Sequence, residues 1–295
     1  MNGFKFFIVS FLTIFNFCFS QIETEIYLNK YEFLEAEPII FTIKFKNNSS
    51  QQDTTSIDFI ESYDNYIKVS SENNVKILYR LFVGDRIGGP LPIIFSPNQE
   101  TLKMCNLLDH FGTVKYKYHL NGAWLYFAEG KYSIKYEIIY YGLNVNASNE
   151  ISFVVNKPQG IDTEACQKLM RAYEINDGNP WIMDSILLKR ELYYEVAKNY
   201  PESTYLEEAI FRYNQETWYL EVDNLDFDLD KYFIEKFPDS YFMSTVLYTL
   251  SKGIYKFEGG EQAVFKYFKY IIENFSNFRA CIEAKWVLEN KIYLN

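Results

Sequence analysis

Histidine, cysteine and tryptophan are scarce in this 295-residue chain, with two, four and four copies. Both histidines, His110 and His119, lie near Cys105, the one arrangement that invites zinc or a thiolate–imidazole pair. Their Cys-x4-His-x8-His spacing fits no standard metal site or nucleophile–base motif. Also missing are a Gly-x-Ser-x-Gly elbow, a His-Glu-x-x-His helix, a phosphate-cradling loop and a dinucleotide fingerprint. The expectation is therefore a protein that is not an enzyme, with no catalytic residue, no metal ligand and no cofactor. A hydrolase using two of the 39 acidic residues stays open as an alternative, since glycoside cleavage needs only a suitably spaced carboxylate pair. Positive charge is short as well: 29 Lys and Arg give a net charge of −10. Residues 21–157 hold 13 basic against 16 acidic groups, and residues 158–295 hold 15 against 23. Neither half offers the basic patch that phosphate backbones or anionic lipid surfaces require, so nucleic acid is excluded as a partner.

Beyond residue 20 no apolar run reaches transmembrane length, so no integral membrane segment is expected in the mature chain. The first twenty residues read as a secretory signal peptide. Lys5 supplies the positive start, Phe6–Phe19 is apolar apart from Ser10, Thr13 and Asn16, and Cys18-Phe19-Ser20 sets small residues at −3 and −1 before Gln21. This places the protein outside the cytoplasm, periplasmic or extracellular. Lipid attachment at Cys18 is the competing reading, against which stand the bulky residues Phe15-Asn16-Phe17. The remaining cysteines, Cys105, Cys166 and Cys281, are odd in number and widely spaced, and read as small buried hydrophobes.

What is abundant is aromatic: 26 Tyr and 26 Phe, suited to strands and to helix seams. Residues 21–157 alternate with period two. Ile39, Phe41, Ile43 and Phe45 share one face while Thr42, Lys44 and Lys46 take the other, and Tyr132, Ile134, Tyr136, Ile138 and Tyr140 repeat the pattern. Ile22, Thr24, Ile26 and Leu28 predict an opening strand, Val75–Val83 a middle one and Ile151–Val155 a closing one. Asn47–Ser50, Gly84–Pro92, Ser96–Asn98 and Asn144–Asn149 read as turns. The glycine- and proline-rich Gly84–Pro92 suits a shaped loop, either an ordinary connection or a recognition loop. Short strands so punctuated predict a β-sandwich. Tyr31–Ile39, with its Leu-x-Ala-Glu-Pro-Ile lead-in, Ser96–Glu100 and the Glu129-Gly130-Lys131-Tyr132 strand start resemble bacterial extracellular immunoglobulin-like modules. The antibody-type Cys…Trp…Cys core is absent.

After Lys157-Pro158-Gln159-Gly160 the apolar period changes to about 3.6, so residues 161–295 form a second, helical domain. Three stretches align: Val196–Tyr205, Phe233–Phe242 and Ile271–Ala280. Each ends a helix on an aromatic, and the first two continue with proline, then serine. Thr204 and Glu207 have capping-box spacing, and Ala209, Val246 and Ala284 fall at matching positions where helices need a small side chain. Gly259-Gly260 marks a turn within the second repeat. The acidic run Glu221, Asp223, Asp226, Asp228 and Asp230 lacks the glycine and terminal glutamate of a calcium loop and reads as an amphipathic junction. Helix–turn–helix repetition of this kind signals a solenoid. The Pro-x-Ser-x-aromatic junction resembles the tetratricopeptide-like repeats of envelope proteins, although the period exceeds 34. The fold class is thus multidomain, an all-β immunoglobulin-like sandwich followed by all-α repeats.

By that resemblance the stack docks a protein or peptide, with contacts expected around Tyr205, Arg212, Trp218, Tyr241 and Tyr248. A stack that only braces the β domain is the plainer alternative. Carbohydrate binding by the sandwich, with Trp124 and Tyr126 as a stacking platform, is another.

Overall fold

A computed structural model describes residues 22–50, 52–55, 67–79, 93–109, 111–112, 114–115, 125–140, 143–175, 183–217 and 227–294. The leader Met1–Ser20, the Gly84–Pro92 loop, His110, His119, Trp124 and Trp218 lie outside them. The architecture is β first and helical afterwards. The strands are β1 (Ile22–Leu28), β2 (Glu32–Leu34), β3 (Ile40–Asn47), β4 (Asp53–Thr55), β5 (Ile67–Ser71), β6 (Leu78–Tyr79), β7 (Ile93–Phe95), β8 (Glu100–Asn106), β9 (Phe111–Gly112), β10 (Val114–Lys115), β11 (Leu125–Tyr126), β12 (Gly130–Tyr140) and β13 (Leu143–Asn156).

Period-two burial organises two sheets. In the order β1-β3-β8, the central β3 buries Phe41, Ile43 and Phe45 and pairs antiparallel on both sides, Ile26 opposite Ile43 and Cys105 opposite Phe41. In the order β2-β13-β12-β5, β12 buries Tyr132, Ile134 and Tyr136, and β13 buries Ile151, Phe153 and Val155. Phe45 of the first sheet meets Tyr136 of the second edge to face at 5.6 Å, the T-shaped geometry ring quadrupoles favour. The turn expected at Ser96–Asn98 closes through the Gln99 amide to the Ser96 carbonyl at 3.0 Å, with Asn98 in the left-handed region, and delivers the chain into β8.

Of the strand expected at Val75–Val83, residues 80–83 lie outside the described residues. Ser71–Asn74 forms a turn with Asn74 at φ +53°, Val75 is exposed, and Leu78–Tyr79 pair with β9. β5, just before that turn, is the edge strand of the second sheet. Asn144–Asn149, expected as a turn, belongs to β13, where β12 and β13 slip register between Lys135 and Glu137. The irregularity lets polar side chains replace ladder bonds: Ser148 Oγ accepts from the Tyr136 amide at 2.9 Å. Asn149 grips both backbone groups of Ile26 at 2.8 and 3.1 Å.

The helices are α1 (Ile161–Glu174), α2 (Met183–Asn199), α3 (Leu206–Thr217), α4 (Phe227–Lys236), α5 (Met243–Phe257), α6 (Glu261–Asn274) and α7 (Arg279–Glu289). The helical compact unit also takes in Leu34–Pro38 and, of the described residues further on, 114–115 and 125–128. Its core joins Ala36 to Ala165, Cys166 and Leu169 of α1, to Tyr193 and Val196 of α2, and to Tyr205 and Ala209. Phe227–Asp230, the end of the expected acidic junction, is the first turn of α4, where Asp228 and Asp230 suit the positive end of the helix dipole. Gly259 (φ +115°) and Gly260 (φ +75°) turn the chain between α5 and α6, a conformation that needs glycine.

Candidate functional site

The three aligned junctions have one backbone construction. Tyr200, Phe237 and Phe275 each give their amide to the carbonyl four residues back and end a helix. Ser203, Ser240 and Phe278 then bond the carbonyls of those aromatics at 2.9–3.0 Å. Leu206, Met243 and Cys281 bond the carbonyls of residues 203, 240 and 278, starting the next helix. Serine adds a second function. Its Oγ accepts from the amide two residues on, at 3.2 Å in Tyr205 and 2.9 Å in Phe242. It also donates to an acid in the first turn of the preceding helix of the same kind, Ser203 to Asp162 at 2.7 Å and Ser240 to Glu207 at 2.5 Å. The expected capping-box pair is thus engaged with neighbouring repeats: Thr204 gives its amide and hydroxyl to Asp162, and Glu207 accepts from Ser240. Ala209, Val246 and Ala284 are all fully buried at matching positions.

On this frame α2 and α3 lie side by side and leave an open hollow of about 280 Å3, lined by Leu187, Arg190, Glu191, Tyr194 and Tyr213. Helical spacing explains the lining, because Leu187 and Glu191, and likewise Arg190 and Tyr194, are one turn apart on α2. Arg190 is held rigidly. Its guanidinium sits 4.4 Å over the Tyr213 ring, donates to the Tyr213 hydroxyl, and gives Nε to Thr217 Oγ1 at 3.1 Å. The Tyr194 and Tyr213 rings are 5.9 Å apart, and Lys198 covers the other reach of Tyr194 at 5.6 Å. Leu187 in its lining is exposed, as are Met183 and Leu188 on the same helix.

The face of α3 that carries Glu208 and Arg212 holds a buried charged network. Arg212 gives Nε to Glu208 Oε1 at 2.5 Å and Nη1 to Gln215 at 2.8 Å, and the Tyr173 hydroxyl donates to the same Glu208 oxygen at 3.0 Å. Burial drives the Tyr173 and Tyr193 phenols well above their ordinary range, so both stay neutral. Burial also raises the Glu216 carboxyl, a shift that Lys189 and Arg212 only partly offset.

Four of the five residues expected at a contact surface lie among the described residues. Tyr205 is wholly buried, its hydroxyl donating to the Glu35 carbonyl at 2.5 Å, which Cys166 also approaches at 3.8 Å. Arg212 is buried in its pair with Glu208. Tyr241 is half-buried, under the Arg279 guanidinium and against Phe242, and Tyr248 is half-buried beneath Lys252. Trp218 falls outside the described residues. Sequence reasoning missed Leu187, Arg190, Tyr194 and Tyr213. The available signal was the i,i+4 pairing of apolar, aromatic and charged residues on α2.

No protein-family model matches the chain, and no curated protein matches it. Among the described residues no group of three or more His, Cys, Asp or Glu could hold a metal ion, and no helix is long and apolar enough to cross a membrane. Cys105, Cys166 and Cys281 are buried. Burial raises the Cys166 thiol, against a partial downward pull from Tyr205.

Proposed function

We propose that this is an exported, non-enzymatic binding protein that docks a protein or peptide segment in the hollow between α2 and α3. The observation that carries the reading is Arg190. It is fixed by stacking, by Tyr213 and by Thr217, so a partner finds a preformed planar cation beside exposed Leu187 and half-buried Tyr194. Ordering is largely complete before binding, which is how a small site gains affinity. Arginine and tyrosine beside an apolar rim is also the composition of interface anchors. The junction construction recurring at residues 200, 237 and 275 supports reading the helices as tetratricopeptide-like repeats. Two sheets meeting through Phe45 and Tyr136 support an immunoglobulin-like sandwich before them.

The test is site-specific photocrosslinking in the producing cells, with the crosslinking amino acid at Leu187 or, as a control, at exposed Leu102 on β8. Position 187 should give a discrete protein or peptide adduct. Tyr194→Ala in the same chain should weaken it by roughly tenfold, the effect of losing one anchor of 1–2 kcal/mol. Adducts from position 102 alone would move recognition to the β part and sink the groove reading.

A further inference from the structure

The hollow between α2 and α3 carries both signs of charge in its lining. Along α2, Arg190, Tyr194 and Lys198 follow one another at one-turn intervals, and Leu187, Glu191 and Glu195 make a second row beside them. Glu195 is taken by Lys168, whereas Arg190, Glu191 and Lys198 enter no ion pair among the described residues. Arg190 stands out in a chain with 39 acidic against 29 basic residues. Arg212 and Arg279 each have a carboxylate, Glu208 at 2.5 Å and Glu283 at 2.8 Å. Arg190 is held by neutral groups instead: Thr217 takes its Nε and the Tyr213 hydroxyl one N–H of Nη2. Nη1 is left without an acceptor among the described residues. Its charge is therefore uncompensated, and at half burial a carboxylate pairs with it more strongly than at an exposed site.

We infer that the segment docked here is extended and carries an acidic residue next to a basic one, the acid on Arg190 and the base on Glu191. The inference rests on the docking reading given above and adds the chemistry of the partner. The free edge of the Arg190 fork, Nη1 with the second N–H of Nη2, matches a carboxylate that accepts two parallel bonds. Exposed Glu191, on the row of Leu187, offers a carboxylate to a cation. The hollow, about 280 Å3, lies at the lower end of ligand-pocket sizes and suits one or two side chains of a passing strand. Consecutive side chains of an extended chain leave on opposite sides, so neighbours in sequence reach both rows at once. A wholly acidic segment would set its second carboxylate against Glu191, and a wholly basic one would set a cation against Arg190. Both meet like charge, which is how such a site rejects them.

The test is selection of a phage-displayed library of random linear peptides on the intact exported chain, with circular dichroism as the fold control for each variant. Peptides that suppress the Leu187 adduct should be enriched in adjacent acid–base pairs. Glu191→Lys, a change at an exposed position, should turn the selection towards adjacent acids. Arg190→Gln should weaken a peptide selected on the native chain by about tenfold, and Glu191→Gln by about threefold, since the exposed pair is the weaker. Replacing the acid of that peptide by its amide should cost about tenfold on the native chain and almost nothing on Arg190→Gln, the coupling expected of a direct pair. Peptides that suppress the adduct yet lack the acid–base pair, or a selection that Glu191→Lys leaves unaltered, overturn this inference and leave docking in the hollow standing. Absence of any Leu187 adduct overturns the docking reading and this inference with it.

Discussion

At the scale of single residues, burial and not residue type decides which polar groups are available. Tyr205 and Arg212 looked like surface contacts because helix faces tolerate such side chains outside. The structure turns both inward, where Glu35 and Glu208 satisfy them. A 3.6 period tells which residues share a face but not what covers it, so that distinction was out of reach of the sequence. Glu216 gives the sharpest residue-level prediction. Its folded carboxyl is raised by burial, so the native state holds the proton more tightly than the unfolded chain. Stability is therefore lost as pH rises from about 4, the unfolded carboxyl value, through the folded value. Glu216→Gln should melt at a higher temperature than the native protein at pH 7, and the advantage should vanish below about pH 4. A lower melting temperature for the variant at pH 7 would mean that Lys189 and Arg212 outweigh desolvation.

Elements were legible where one periodicity ran unbroken, and blurred where polar residues took over backbone bonding. Strands β1, β3 and β12 declared themselves because a half-buried strand needs an apolar residue at alternate positions. Within Val75–Tyr79 the same signal gives pairing at Leu78–Tyr79, because the first residues follow a tight turn that uses Asn74 at positive φ. Asn144–Asn149 had turn composition, yet its serine and asparagine serve a bulged strand. The helix junctions were legible through proline and serine, and the third keeps the same backbone bonds with phenylalanine at 278. Serine is thus a reinforcement of the junction and not its cause. Ser240→Ala should cost about 1–2 kcal/mol in denaturant unfolding, for the lost bonds to the Phe242 amide and Glu207, with native helix content retained. Loss of helical signal in that variant would show instead that the hydroxyl nucleates the turn.

For the whole molecule, the division of the sequence into a β half and a helical half holds as an order along the chain. The helical compact unit is wider than residues 161–295, because it includes Leu34–Pro38. A five-residue strap carries almost no compositional signal, which is why the sequence drew the line at Pro158. The physical content is Ala36 within the α1–α3 core and a Glu35 carbonyl that accepts from Tyr205. Residues 161–295 produced alone should therefore unfold at lower temperature than the same helices in the intact chain. Adding a synthetic peptide of residues 32–40 in excess should recover part of the difference. Equal stability of the fragment without the peptide would show that the strap contributes nothing.

The Glu35–Tyr205 bond spans 170 residues of sequence. At the pace of translation, about 5–20 residues per second, the strap is made roughly 10–30 s before the tyrosine that it must meet. Through that interval the core that joins Ala36 to Tyr205 cannot close. The late-arriving ring makes completion of the helical body a clock on synthesis, set by distance along the chain and not by the speed of any helix.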